Sequence, residues 1–277
     1  MTVEQFLRPS SPAEAVALRA RSGAVFLAGG TELNRGGTPR ASTLISLAAL
    51  PLRFVRAEGG AVLLGPMLTL QEIAAGLPSP GLGILCEAAR AVGNRSIRNL
   101  ATLGGNIAAN KSCADLIPSL LVLGASLVLL GPEGEREVAL DGHLSAPDRA
   151  ALILAVRVPR PRPGVRLGRQ RFSRTANDLA LVNVALLVRL DGTRLAEARL
   201  ALGGVAPRVV RLPGAEAVLT GADLSAGCDA LLGRLDEAVR CSVHPISDLR
   251  GSADFKRELA AVLACRALGA CLNEEAR

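Results

Sequence analysis

The apolar positions of this chain fall into short blocks, and the glycines and polar residues between them mark where strands and helices begin and end. Ser11-Pro12-Ala13-Glu14 opens a helix with a hydroxyl cap, proline at the first helical position and glutamate at the third; Gly23 can close it. Ala24 to Leu27 reads as a short buried strand that runs directly into Ala28-Gly29-Gly30-Thr31-Glu32-Leu33, so a strand ends in a glycine loop. Leu44 to Leu47 and Ala61 to Gly65 read as further strands. Thr69-Leu70-Gln71-Glu72 is a capping box for the next helix, and Leu82 to Val92 is helical.

A second glycine loop is predicted within Ser96-Ile97-Arg98-Asn99-Leu100-Ala101-Thr102-Leu103-Gly104-Gly105-Asn106-Ile107. Beyond it Asp115 stands at the head of an apolar helix ending near Gly124. Ala125 to Leu130 and Arg136 to Leu140 pair as strands around Pro132-Glu133-Gly134, and Ala151 to Val158 is another strand. Pro159-Arg160-Pro161-Arg162-Pro163-Gly164 can continue neither a helix nor an interior strand, and we place the domain boundary there. Leu179 to Leu190 and Arg194 to Leu202 form a hairpin around Asp191-Gly192. Two helices follow. A last long one, Ser252 to Leu272, has Phe255, Leu259, Val262, Leu263 and Leu268 at helical spacing.

Composition narrows what such a chain can do. With 49% apolar and 21% charged residues, its 277 positions suffice to bury a core, and the length suits one large or two modest domains. There is no Trp or Tyr and only five Phe, at 6, 26, 54, 172 and 255, so the core is aliphatic and the stacking surface used on single strands or RNA is missing. The net charge is +7, yet the stretch from Arg149 to Arg174 holds eight arginines and no acid, so the rest of the chain sums to −1. This is a near-neutral protein with one positive segment, read either as a solvated linker or as a surface for phosphate, an anionic ligand or an acidic partner. The N-terminus carries an early acid and no long apolar run, which argues against a signal peptide. The longest apolar stretch, Leu116 to Leu130, is interrupted by Pro118, Ser119, Gly124 and Ser126 and is too short to span a bilayer. We expect a soluble cytoplasmic protein with reduced thiols and no membrane partner.

The two glycine segments are the chemically informative features. Small residues after a strand let backbone N–H groups converge on an anion, above all a diphosphate. Neither segment has the Gly-x-x-x-x-Gly-Lys-Ser/Thr or the Gly-x-Gly-x-x-Gly pattern. Six cysteines without a Cys-x-x-Cys pair give no zinc or iron–sulfur set, and two histidines, His143 and His244, give no multi-histidine metal site. There is no Gly-x-Ser-x-Gly elbow. Cys113, near the start of the Asp115 helix, is a packed residue or a stabilised thiolate.

Taken in order, Phe26-Leu27-Ala28-Gly29-Gly30-Thr31-Glu32-Leu33, Arg98 to Ala108, Leu202-Gly203-Gly204-Val205-Ala206-Pro207 and His244 to Ser252 resemble the FAD-binding subunit of the molybdenum hydroxylases. That family includes the medium subunits of xanthine dehydrogenase and aerobic carbon monoxide dehydrogenase. The resemblance implies an α+β fold: a two-subdomain FAD-binding domain of the p-cresol methylhydroxylase type over residues 1–160, with a break near 52–60, and a smaller α+β C-terminal domain of antiparallel sheet and helices over 165–277. It implies FAD held by Leu27, Ala28, Gly29, Gly30, Thr31, Glu32 and Leu33, and by Thr102, Gly104, Gly105 and Asn106. Asp115 is implied as a polar contact to the flavin nucleotide and Arg171 as a charged contact to the ring. The implied activity is electron transfer without substrate chemistry in this chain. Electrons arrive from an iron–sulfur subunit, served in turn by a molybdenum-cofactor subunit, and leave to NAD or another acceptor; the impression is closest to the xanthine or purine branch.

The chain departs from the family pattern in having Glu32 where Asp is commoner, Asn110-Lys111-Ser112 after the second motif, and no tyrosine. Two other readings therefore stand beside the flavoprotein: a non-enzymatic assembly or scaffold protein with the same fold and weak flavin binding, and an arginine-dependent nucleic-acid binder.

Overall fold

The computed structural model describes residues 3–21, 23–33, 41–225 and 227–273. The chain divides into two compact units, residues 1–109 with 124–160 and residues 110–123 with 161–277.

The first unit begins with β1 (Gln5–Leu7), α1 (Pro12–Arg19), β2 (Ala24–Leu27) and β3 (Thr43–Ser46). The three strands form a parallel sheet in the order β1-β3-β2. Ser11 caps α1 as expected, its Oγ accepting from Glu14 N–H at 3.1 Å, and the Glu14 carboxylate turns back to the N–H and hydroxyl of Ser10 at 2.7 Å. β4 (Val55–Glu58) and β5 (Ala61–Leu64) come next, then α2 (Leu70–Ala75) with its capping box complete. α3 (Gly83–Arg90), α4 (Arg95–Leu100) and α5 (Leu103–Ala109) follow. After an excursion into the second unit, the chain returns with β6 (Ser126–Gly131), β7 (Gly134–Ala139), α7 (Leu140–Ser145) and β8 (Leu152–Pro159). These strands build an antiparallel sheet in the order β4-β5-β8-β6-β7. Ala15, Ile45, Leu50, Leu52 and Leu152 make one core cluster across α1, the parallel sheet and β8. Each large aliphatic side chain so buried contributes about 1.5–3 kcal/mol.

The excursion is α6 (Leu116–Val122). Every one of its residues is buried, and it packs against the hairpin of the second unit. This parts residues 110–123 from the first 160, with which the linear reading groups them. An all-round apolar helix needs cover on every side. The rest of that unit is β9 (Val165–Phe172), β10 (Val182–Asp191), β11 (Arg194–Gly203), β12 (Val210–Arg211), α8 (Pro213–Leu219), α9 (Asp229–Ser242) and α10 (Ala253–Leu272). The strands form an antiparallel sheet in the order β12-β11-β10-β9, with the expected hairpin at its centre.

Two expectations for this unit change. The arginine-rich stretch after the proline segment is β9, not linker, and its alternation serves two faces. Arg166, Gly168 and Phe172 face α10: Arg166 reaches the carbonyls of Cys271 and Leu272, and Phe172 sits edge-on to Phe255 with centroids 6.0 Å apart. A Cβ on Gly168 would lie 2.4 Å from the Ala267 carbonyl oxygen, so the helix approaches the strand closely. On α10 itself, Phe255 and Val262 are exposed, whereas Ala260, Ala261, Ala264 and Ala267 line the buried face with Leu263 and Leu268. Small side chains win that face because only they allow the approach. Among the described residues no helix is long and apolar enough to cross a membrane.

Candidate dinucleotide site

The first glycine segment leaves the end of β2 as a loop. Leu27 is the last strand residue, and Ala28, Gly29, Gly30, Thr31, Glu32 and Leu33 are half-buried. Gly30 has φ +70°, a left-handed conformation that glycine adopts without strain. A Cβ on Gly29 would lie 1.7 Å from the Leu100 carbonyl oxygen and 3.2 Å from Ala101 N. The sequence motifs separated by some seventy residues are thus brought into backbone contact, and the absence of a side chain at Gly29 permits it.

The second segment is not a loop. Leu103, Gly104, Gly105 and Asn106 are the first residues of α5, and Thr102 precedes them. The Thr102 hydroxyl accepts from Gly105 N–H at 3.1 Å, and its carbonyl accepts from Asn106 N–H at 2.9 Å. Leu103 N–H goes to the Leu68 carbonyl at 2.9 Å, Gly104 N–H to the Pro66 carbonyl at 2.8 Å, and Leu70 N–H to the Ala101 carbonyl at 2.8 Å. A Cβ on Gly104 would lie 2.6 Å from Pro66 Cβ. Residues 66–70 therefore strap this segment down, and together with Thr102 they consume the amide donors that the sequence offered to an anion. The strap escaped the sequence reading; its only signal is Gly65-Pro66 just ahead of the Thr69 capping box.

The remaining polar groups differ between the two segments. The N–H groups of Gly29, Gly30 and Thr31 make no hydrogen bond to another described residue. In the second segment, Asn106 Oδ1 is buried with no partner among the described residues. Buried polar atoms left so are rare and point to an unseen partner. Backbone donors in a strand-to-loop turn suit a diphosphate, and an acceptor in the adjoining segment suits a hydroxyl or N–H of the same molecule. A dinucleotide carries both kinds of group, so the residues fit FAD.

Asp115 and Arg171 lie in the second unit, in a cluster of their own. Asp115 is 5% exposed, with Arg171 Nε at 2.9 Å, Arg169 Nη2 at 3.1 Å and Asn183 Nδ2 at 3.2 Å from its Oδ1. Burial raises the Asp115 pKa, against the opposing pull of Arg171 and Arg169. Each guanidinium nitrogen of Arg171 is engaged, the other two with the Ser173 hydroxyl and the Asp178 carbonyl. The two residues expected as flavin contacts are joined to each other, and Arg169 and Arg171, at 12% and 11% exposure, are not solvated linker charges. Gly203 and Gly204, in the third motif, close the unit around this cluster: a Cβ on Gly203 would lie 2.2 Å from Asn183 Oδ1, and Gly204 N–H donates to the Ser112 carbonyl at 2.7 Å. The His244 segment is tied in through its own N–H to the Val205 carbonyl at 3.0 Å. His143 is buried in the first unit, where burial lowers its pKa. Among the described residues no three metal-ligating side chains come together.

Comparison with known proteins identifies the family. Residues 2–161 match the FAD binding domain in molybdopterin dehydrogenase, and residues 169–271 match the CO dehydrogenase flavoprotein C-terminal domain. The carbon monoxide dehydrogenase medium chain of Hydrogenophaga pseudoflava is 31% identical over 280 residues, covering 96% of each chain. The xanthine dehydrogenase FAD-binding subunit of Escherichia coli O157:H7 is 32% identical over 212 residues, covering 73% of this chain and 71% of that one. The solved structure of Hydrogenophaga pseudoflava carbon monoxide dehydrogenase lacking the Mo-pyranopterin moiety includes a chain that superposes with a TM-score of 0.91 at 30% identity, covering 98% of this chain and 97% of that one.

Proposed function

We propose a function from one premise: this chain belongs to the family of FAD-binding subunits of the molybdenum hydroxylases, a family of oxidoreductases. Its cofactor is FAD. We infer that it serves as the electron-transfer subunit of an assembly, receiving electrons from an iron–sulfur subunit that is itself reduced by a molybdenum-cofactor subunit. When bound, FAD supplies the capacity to collect two electrons and pass them on together, with NAD as the acceptor we propose.

The chain's own part is to hold and orient. The N–H groups of Gly29, Gly30 and Thr31 are the donors for the diphosphate, and Ala28, Glu32 and Leu33 complete the turn that aims them. Thr102, Gly104 and Gly105 set the start of α5 so that Asn106 offers its free acceptor. The buried side chains of Leu103 and Ile107 anchor that helix from beneath. The observation that carries this reading is the pairing of unused loop donors with the unused Asn106 acceptor, in segments that touch through Gly29 and Leu100.

For the assembly's substrate we propose xanthine or a related purine, supported by the Escherichia coli relative. Carbon monoxide is the competing substrate, supported by the fuller coverage of the Hydrogenophaga protein. Reduction of the complex isolated from its host by one substrate and not by the other decides between them.

The flavin reading is tested on the purified chain. It should carry FAD at one per chain, seen as visible flavin absorbance, and Gly30→Asp should abolish retention by setting a carboxylate against the diphosphate while the apo chain stays folded, its melting temperature lowered only by the strain of a side chain at φ +70°. A colourless chain that cannot be reconstituted would favour the scaffold alternative. Flavin content unchanged in Gly30→Asp would overturn the loop assignment.

A further inference from the structure

Helix α4 is held in an unusual way. None of its six residues is buried, and it exposes Ile97 at 41% and Leu100 at 58%. A helix this short is unstable alone and ordinarily owes its place to an apolar face packed on the core. Here the N-terminal cap is Asn94, whose Oδ1 accepts from Ile97 N–H at 2.9 Å. Among the described residues, the side-chain hydrogen bonds from α4 to the rest of the unit are those of Arg98. Its Nη1 donates to the carbonyls of Arg90, Val92 and Gly93 at 3.2, 3.3 and 3.0 Å, and its Nε donates to Gln71 Oε1 at 3.1 Å. The carbonyls are those at and just beyond the C-terminal end of α3, where the helix dipole favours a cation; Gln71 stands on α2. One guanidinium group therefore binds α4 to two other helices, a task suited to its fixed fork of donors.

What α4 delivers is the turn that follows it. Leu100 O faces Gly29 so closely that no Cβ fits between them, Ala101 O accepts from Leu70 N–H, and Thr102, just ahead of α5, accepts from Gly105 N–H. We propose that Arg98 is a positioning residue for the dinucleotide site: its hydrogen bonds, rather than apolar burial, fix α4 and so set the Leu100–Thr102 turn against the first glycine loop. Arg98 does not touch the ligand in this scheme. It governs whether the Gly29 donors and the Asn106 acceptor are presented together. The inference rests on the flavin reading for its consequence, but not for the clamp itself.

The test uses the full chain, its Arg98→Ala and Arg98→Lys variants, and Gln71→Leu as a milder cut. Backbone hydrogen exchange of the apo chains reads the clamp directly, and titration with FAD reads its consequence. Arg98→Ala should raise exchange across residues 97–103 and weaken FAD retention about tenfold, the scale of one charge-assisted hydrogen bond. Apo melting should move little, because α4 buries no side chain. Arg98→Lys should fall between, since one ammonium can meet the carbonyls but not Gln71 as well, and Gln71→Leu should show the smallest loss. Unchanged exchange in Arg98→Ala would overturn the clamp. Raised exchange with undiminished FAD binding would overturn its link to the site. A parent chain that binds no FAD would remove the flavin reading and this role with it, and is recognised before any variant is made.

Discussion

The two glycine motifs look alike in sequence and do opposite things in the fold. Around Gly29 and Gly30 the chain leaves a strand, turns through a left-handed residue and gives its N–H groups no partner among the described residues. Around Gly104 and Gly105 it enters a helix, and the N–H groups are taken by Thr102, Pro66 and Leu68. The first motif is the loop whose donors we assign to the ligand. The second is a foundation, offering a single side-chain acceptor at Asn106. Glycine marks both because glycine allows two different things, an unusual φ and a close approach, and a sequence does not say which is in use.

Substitutions that add one carbon can separate these roles. Gly29→Ala should have the largest effect, because the new Cβ meets a backbone carbonyl at 1.7 Å and neither loop can yield without breaking their contact. We expect a loss of about 3 kcal/mol together with all bound flavin, measured by thermal melting and by flavin content. Gly104→Ala should cost less, about 1–2 kcal/mol, since the closest obstacle is the Pro66 side chain at 2.6 Å and the strap can shift. Its flavin content should fall only in part; complete loss would mean that α5 is as close to the ligand as the first loop. Thr102→Val, which removes the acceptor for Gly105 N–H while keeping the shape, should cost about 1 kcal/mol. If it released flavin while leaving the melting temperature in place, the Thr102 hydroxyl would be a ligand contact and the foundation reading would fail.

Much of the secondary structure could be read from local chemistry. The Ser11 and Thr69 caps, the Asp191-Gly192 hairpin and the strand entering the first glycine loop are each determined by neighbours a few positions away. Elements whose partners are remote could not be read so. β4 is almost wholly exposed and exists because β5 lies beside it. β9 carries arginines that look like linker charge until Asp115, more than fifty positions earlier, is brought beneath them. The candidate site divides in the same way. Its residue types and their order identified the family, whereas the strap at 66–70 and the Arg98 clamp depend on contacts that leave no local pattern.

The sequence by itself determined an aliphatic α+β chain, the two glycine motifs and the family they mark, because composition and short-range stereochemistry suffice for these. Tertiary structure alone decided which glycine N–H groups are taken up by other described residues, where α6 is buried, and that paired arginines neutralise Asp115 rather than face solvent. Those outcomes turn on which distant carbonyl or carboxylate reaches a donor first, and that is settled only when the chain has closed on itself.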